Sequence, residues 1–232
     1  MEGDIMSDAI HDKKFPGEGN EYRVARNSLL KAEIELRQKI EDINKMRQKL
    51  PLGGKIKQDY IFKELINDEE KDINLSELFK ENKTTLIIYS YMYGPNMENP
   101  CPACTSLIDG FNGTASHIMN RVNLAIVAKS PINRIAEFAD NRNWENIHLL
   151  SSEKNSYNAD YFAETPDGNQ IPACNVFTKT PDGIFHFYST ELLYAPAKGH
   201  PRHMDLMWPL WNLLDITPQG RGTDWFPKLS YE

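Results

Sequence analysis

The sequence predicts an α/β protein, a mixed central sheet with helices on both faces, and three observations carry that reading. Residues 84–93 and 122–129 are β-branched, apolar and nearly uninterrupted, as strands buried on both faces are. Helical stretches of about 10–15 residues alternate with the strands, so the crossovers are right-handed and half of the sheet is parallel. Near the end, Pro181-Asp182-Gly183 supplies the turn of a hairpin, which adds antiparallel strands.

At 232 residues the chain buries about 70–75% of its unfolded surface, and its core needs no disulfide or metal staple. Apolar residues make up 40% and charged residues 25%, which excludes collagen-like, low-complexity and wholly disordered chains. The net charge of −7 repels phosphate backbones and anionic lipid heads, so neither nucleic acid nor a membrane is an expected partner. No apolar run reaches the ~18 residues that span a bilayer. The first 19 residues lack the apolar core of a secretory signal, and the expected setting is cytoplasmic, where thiols stay reduced.

In chain order, residues 1–20 are polar and unpatterned, a flexible lead. Residues 21–54 form a helical arm. Leu29, Leu36, Ile43 and Leu50 recur every seven residues, and Pro51, Gly53 and Gly54 end the helix. This arm packs on the chain's own core or pairs two copies as a homodimer; the heptads lack the flanking charge pairs that would decide. Residues 55–232 form the α/β domain. A short strand is expected at 59–62, a solvated loop at 69–72 and a helix capped by Asn74 over 75–80. The strand 84–93 stops at Gly94-Pro95-Asn96, and a helix covers 105–120. The strand 122–129, a helix at 131–142 and a strand at 147–150 follow. A polar loop over 151–170 leads to the hairpin strands 175–179 and 184–188. The last helix, 204–214, contains Pro209, which kinks or splits it.

Chemistry concentrates at Cys101-Pro102-Ala103-Cys104. Disulfide exchange needs a thiolate, and an ordinary thiol is only a few per cent ionised at neutral pH. A cysteine at a helix N-terminus faces backbone N–H groups and the positive end of the helix dipole. Pro102 suits the first helical position, where its missing N–H costs nothing. Cys101 is thus the candidate nucleophile and Cys104, one turn on, the resolving thiol. No Lys or Arg lies between Lys83 and Arg121, so a modest depression of the Cys101 thiol, produced by the helix end, is expected. Three other readings stand beside this one. The pair is half of a zinc site completed by Cys174 and a histidine such as His200 or His203, or it is two inert thiols, or Cys174 competes for the disulfide.

Other candidates have plainer explanations. Tyr89, Tyr91 and Tyr93 share one face of their strand as core packing with tethered hydroxyls. Tyr93, nearest the strand's C-terminal end, is the one placed to line a substrate pocket. Asp109 reads as a helix or turn residue, and His117 and His148 as packed histidines.

Several segments together resemble the thioredoxin-like superfamily, and more narrowly a poorly characterised bacterial branch of dithiol–disulfide oxidoreductases, distantly peroxiredoxin-like. They are Lys49-Leu50-Pro51, Tyr60-Ile61-Phe62, Leu75-Ser76-Glu77-Leu78-Phe79, Tyr89-Ser90-Tyr91-Met92-Tyr93-Gly94-Pro95 and Cys101-Pro102-Ala103-Cys104-Thr105-Ser106. Asp109-Gly110, His186-Phe187-Tyr188-Ser189-Thr190 and Asp215-Ile216-Thr217-Pro218-Gln219-Gly220-Arg221 complete the set. The resemblance implies a thioredoxin-like fold and redox-active thiols at Cys101 and Cys104, and no settled substrate; the overall reading expects a protein or small-molecule disulfide or thiol as substrate, with no organic cofactor and no metal. In such folds a cis-proline before the strand after the crossovers faces the dithiol and shapes the substrate groove. Pro172 holds that position here; a trans loop proline is the alternative. Pro100 replaces the tryptophan that precedes the motif in thioredoxins, and Glu98 stands where a peroxiredoxin has its threonine. A thiol peroxidase and a non-enzymatic interaction module are the rival functions.

Overall fold

The computed structural model describes residues 10–80, 82–195 and 204–231. His200, His203 and the first nine residues of the lead lie outside them. The chain divides into two units, Met1–Pro51 and Leu52–Glu232. The first contains α1, Asn20–Gln48. Arg37 pairs with Glu41 at 3.0 Å one turn apart, and Lys45 and Arg47 oppose the negative end of the helix dipole.

The second unit is built on seven strands: β1 Ile61–Ile66, β2 Glu69–Asn74, β3 Thr85–Tyr91, β4 Asn123–Ala128, β5 His148–Ser151, β6 Ala173–Thr180 and β7 Gly183–Ser189. Their order is β2-β1-β5-β4-β3-β6-β7. The pairs β3–β4 and β4–β5 are parallel and the others antiparallel. Helices α2, Pro102–Met119, and α3, Ile132–Asn141, make the two parallel crossovers. The run β4-β3-β6-β7, with α2 leaving the end of β3, is the thioredoxin-like arrangement.

Two cores flank the sheet. Tyr89, Tyr91, Ile126 and Cys174 pack beneath Leu107 and Ile108 of α2, Ile135 of α3 and Trp211 of α5, Pro209–Asp215. On the opposite face Ile88, Val127 and Phe177 meet Leu75 and Leu78 of a 3₁₀ turn and Tyr157 of the short α4, Tyr157–Asp160. Helical segments therefore lie on both faces. Among the described residues no helix is long and apolar enough to cross a membrane.

Three local expectations are corrected. Residues 69–72 are not a loop but part of β2, whose backbone pairs with β1 across a turn with Asn67 and Asp68 at φ 52° and 62°. That left-handed turn suits a two-residue hairpin, and an edge strand tolerates outward charges. The segment 75–80 is a 3₁₀ turn, Leu75–Leu78, with Glu77 reaching back to the Asn74 N–H at 2.8 Å. The polar loop after β5 is not all solvated, because Tyr157 and Asn158 are fully buried. Pro209 splits the last helix: a 3₁₀ turn, Asp205–Met207, precedes α5, which Pro209 opens. Outside β7, residues 53–56 run alongside it. The Gly53 N–H donates to His186 O at 2.9 Å, and Ile56 N–H to Ile184 O at 3.0 Å.

Candidate active site

β3 delivers the chain to the site, and the loop after it is tied down before α2 begins. The Arg134 guanidinium on α3 lies over the Tyr93 ring at 4.5 Å. It donates to the carbonyls of Met97 and of Glu98, the latter at 2.7 Å. The Cys101 N–H donates to Met92 O at 3.0 Å. Cys101 then takes the N-cap of α2 with extended backbone, and Pro102 fills the first helical position. The Thr105 N–H and hydroxyl both donate to Cys101 O, at 3.0 and 2.9 Å.

The cysteines of this turn have opposite environments. Cys101 is partly exposed and Cys104 is buried. Cys101 Sγ accepts from the Cys104 backbone N–H at 3.5 Å. The thiol of Cys104 donates to Cys101 Sγ; together with the Cys104 and Ala103 N–H groups, and against the effect of burial, this lowers the Cys101 thiol to about 6. At that value about nine-tenths of the sulfur is ionised at pH 7. Burial, and then the bond to Cys101, pushes the Cys104 thiol well above its ordinary value. The modest depression expected from the helix end alone is thus too small a reading. The largest cause is the Cys104 S–H, which sequence spacing does not reveal.

Behind the pair, Tyr89 and Cys104 belong to one buried cluster, of which the alternation of Tyr89, Tyr91 and Tyr93 is the one trace in the sequence. Tyr91 O–H meets Thr105 Oγ1 at 2.7 Å. Cys174 stands directly opposite Tyr89 across the β3–β6 ladder, and burial pushes its thiol up to about 12. It lines an apolar pocket of about 290 Å³ with Phe111, Ile118, Leu124 and Met207. A protonated thiol in such surroundings is inert.

The other expected substrate contacts are Tyr93 and Pro172. Tyr93 is 4% exposed and packs on Phe138 beneath Arg134, which leaves its ring no surface for a substrate. No cis peptide bond occurs among the described residues, so Pro172 is a trans proline. The trans form of an X–Pro bond is favoured intrinsically, and the loop before it closes through Ile171 N–H to Ala163 O at 2.9 Å. Pro172 is partly buried and precedes Ala173, which pairs with Ser90, one step along the ladder from Tyr91. Asp109 holds α2 to the end of α3: its carboxylate accepts from Trp144 Nε1 at 2.8 Å and pairs with Arg142. Among the described residues no cluster of three or more His, Cys, Asp or Glu side chains is set to hold a metal.

No curated protein matches the chain. Among solved structures it is similar to thioredoxin peroxidase I of Plasmodium yoelii, at 13% identity and TM-score 0.47, over 71% of this chain and 91% of that one. The reduced 2-Cys peroxiredoxin of Plasmodium vivax gives 12% and 0.46, over 70% and 97% of the two chains. Peroxidoxin BcpB of Mycobacterium tuberculosis gives 16% and 0.45, over 69% and 95%. At these values the chemistry is read from the dithiol itself. A family model described as a bacterial protein of unknown function, DUF899, matches residues 13–231, and the chain belongs to that family.

Proposed function

We propose that this protein is a thiol–disulfide oxidoreductase. The observation that carries the reading is the Cys101 sulfur, partly exposed at the N-cap of α2 and accepting from the Cys104 N–H at 3.5 Å. Cys101 Sγ attacks one sulfur of a substrate disulfide as the thiolate. A mixed disulfide forms, and the other substrate sulfur leaves with the electron pair. Cys104 then gives up its proton, which ends on that first leaving sulfur. Its sulfur attacks Cys101 Sγ, and the second substrate thiolate departs. The dithiol is oxidised by two electrons and the substrate disulfide reduced by two. The substrate is a protein or small-molecule disulfide. Pro102, beside the nucleophile, and Pro172, at the neighbouring strand start, flank its approach.

A Cys104→Ser variant tests this reading by stopping the reaction at the mixed disulfide. Captured substrates should appear by mass spectrometry as thiol-releasable adducts on Cys101, and a Cys101→Ser variant should capture none. A variant that traps no disulfide but accumulates sulfenic acid at Cys101 with hydrogen peroxide points instead to a thiol peroxidase.

A further inference from the structure

We infer that Arg134 is a positioning residue of the exchange reaction: its guanidinium, held like a bound cation by the carbonyls of residues 94–98, fixes the path of the chain into Cys101 and keeps that residue on its helix cap. The inference rests on the exchange reading above and adds a residue to it. The stretch from Met92 to Cys101 closes on itself, since the Cys101 N–H donates to Met92 O at 3.0 Å. Arg134, on α3, gathers the carbonyls of this loop. Its Nη1 donates to Gly94 O at 3.4 Å and to Pro95 O at 3.3 Å. Its Nη2 donates to Met97 O and to Glu98 O, the latter at 2.7 Å. Gly94 O also accepts from the buried Ser130 hydroxyl and from the Met97 N–H, both at 3.1 Å. The guanidinium carbon lies 4.5 Å from the centroid of the Tyr93 ring, and Tyr93 in turn packs on Phe138.

Among the described residues no carboxylate pairs with Arg134; four carbonyl dipoles and an aromatic ring balance its charge instead. A cation drawn partly out of water is costly unless its donors are satisfied, and here one loop satisfies them. The planar guanidinium offers its N–H groups in a fixed fork, so it sets several acceptors at defined angles, which a lysine ammonium does not. Loop and guanidinium therefore hold each other in one shape. Directly downstream is the cap. Cys101 keeps an extended backbone, φ −61° and ψ 121°, before Pro102 starts α2, and its sulfur accepts from the Cys104 N–H at 3.5 Å. That bond lasts only while Cys101 stays at this angle to the helix, and a helix end frays when nothing fixes the entering chain. Arg134 donates to carbonyls and not to sulfur, so it acts on Cys101 through the loop. The titratable members of the cluster around Cys101 are Cys104 on α2 and Tyr89, Tyr91 and Tyr93 on β3, and Glu98 of the loop is exposed.

The test follows alkylation of Cys101 by iodoacetamide across pH in the full-length reduced protein. Arg134→Ala should raise the midpoint by about 1 pH unit, a 10-fold change in the ionisation constant, because the sulfur loses its cap. Asn133→Ala breaks a different bond of α3, that to Glu70 at 2.6 Å, and should leave the midpoint in place. Millimolar ethylguanidinium should return the Arg134→Ala midpoint toward the wild-type value, and ethylammonium, the same charge without the fork, should not. Rescue by both alike, or by neither, overturns the assignment. So does an Arg134→Ala midpoint equal to that of wild type, the result of a residue that only adds stability. If Arg134→Ala does not fold, Arg134→Lys decides: it keeps the stem and the charge but loses the fork, and should still raise the midpoint. An unmoved midpoint there overturns the assignment. Wild type mixed with one equivalent of dipyridyl disulfide should release two equivalents of pyridinethione. Two equivalents with an unmoved variant midpoint overturn the role of Arg134 and leave the exchange reading intact, whereas release of a single equivalent overturns both.

Discussion

The hydroxyls of Tyr91 and Thr105 meet at 2.7 Å, while Thr105 itself donates to Cys101 O at 2.9 Å. Because the Thr105 proton is committed to the carbonyl, Tyr91 is the donor of the pair. One chain of hydrogen bonds thus fastens the Cys101 backbone to the end of β3. Thr105→Val keeps the shape and removes the link, leaving the Tyr91 hydroxyl buried without its partner. A loss of about 1–3 kcal/mol is expected, measured by urea unfolding of the reduced protein.

The largest single contribution to the Cys101 thiolate is the Cys104 side chain. Alkylation of Cys101 by iodoacetamide should therefore titrate near pH 6 in wild type. Cys104→Ser keeps a donor and should raise that midpoint a little. Cys104→Ala removes the donor and should raise it further, toward the ordinary thiol value of about 8.5. Midpoints that stay near pH 6 in both variants would assign the effect to the backbone N–H groups alone.

The same shift links stability to pH. The folded-state value of Cys101, about 6, lies below the unfolded value of about 8.5, so between them the unfolded chain holds more protons. The stability that ionised Cys101 contributes is fully present above about pH 8.5 and is lost as pH falls through 6. The stability difference between wild type and Cys101→Ala should shrink steadily from pH 8 to pH 6, followed by chemical denaturation under reducing conditions. Cys104 has the opposite sign: its raised value contributes below its unfolded value and loses that contribution as pH rises past it.

Gly53 and Gly54 are neighbours with different constraints. A Cβ on Gly53 would stand 2.7 Å from the carbonyl oxygen of His186, which is backbone and cannot step aside, whereas one on Gly54 meets nothing within 4 Å. Gly53→Ala should destabilise by about 1–3 kcal/mol and Gly54→Ala by under about 0.5 kcal/mol, read as thermal midpoints of the two variants.

The parts of this fold that were legible in the sequence are those whose pattern is local. The central strands announce themselves as apolar runs, and Pro102 marks the first turn of α2. β2 was not legible because Glu69, Glu70, Lys71 and Asp72 are held by pairing with β1 rather than by a buried face. The burial of Tyr157 is hidden by its polar neighbours in sequence, because it is Phe62 and Phe177, distant along the chain, that enclose it. At the site, the placement of Cys101 at a helix start, with Cys104 one turn on, was legible from the spacing and from Pro102. The opposite shifts of their thiols depend on which sulfur reaches solvent and which is buried, and three-dimensional packing alone decides that.

The rims of the sheet bear on how any polypeptide reaches the dithiol. One border is sheathed by residues 53–56 lying along β7, and the other, β2, presents outward charges. Neither invites an eighth strand, since the first has its backbone groups taken and the second repels a flat apolar visitor. Under the proposed exchange reaction, a disulfide-bearing chain would approach end-on, over the tips of β3 and β6, and be gripped at its crosslink instead of being zipped lengthwise into the ladder. The same two borders discourage copies of the protein from stacking edge to edge when crowded.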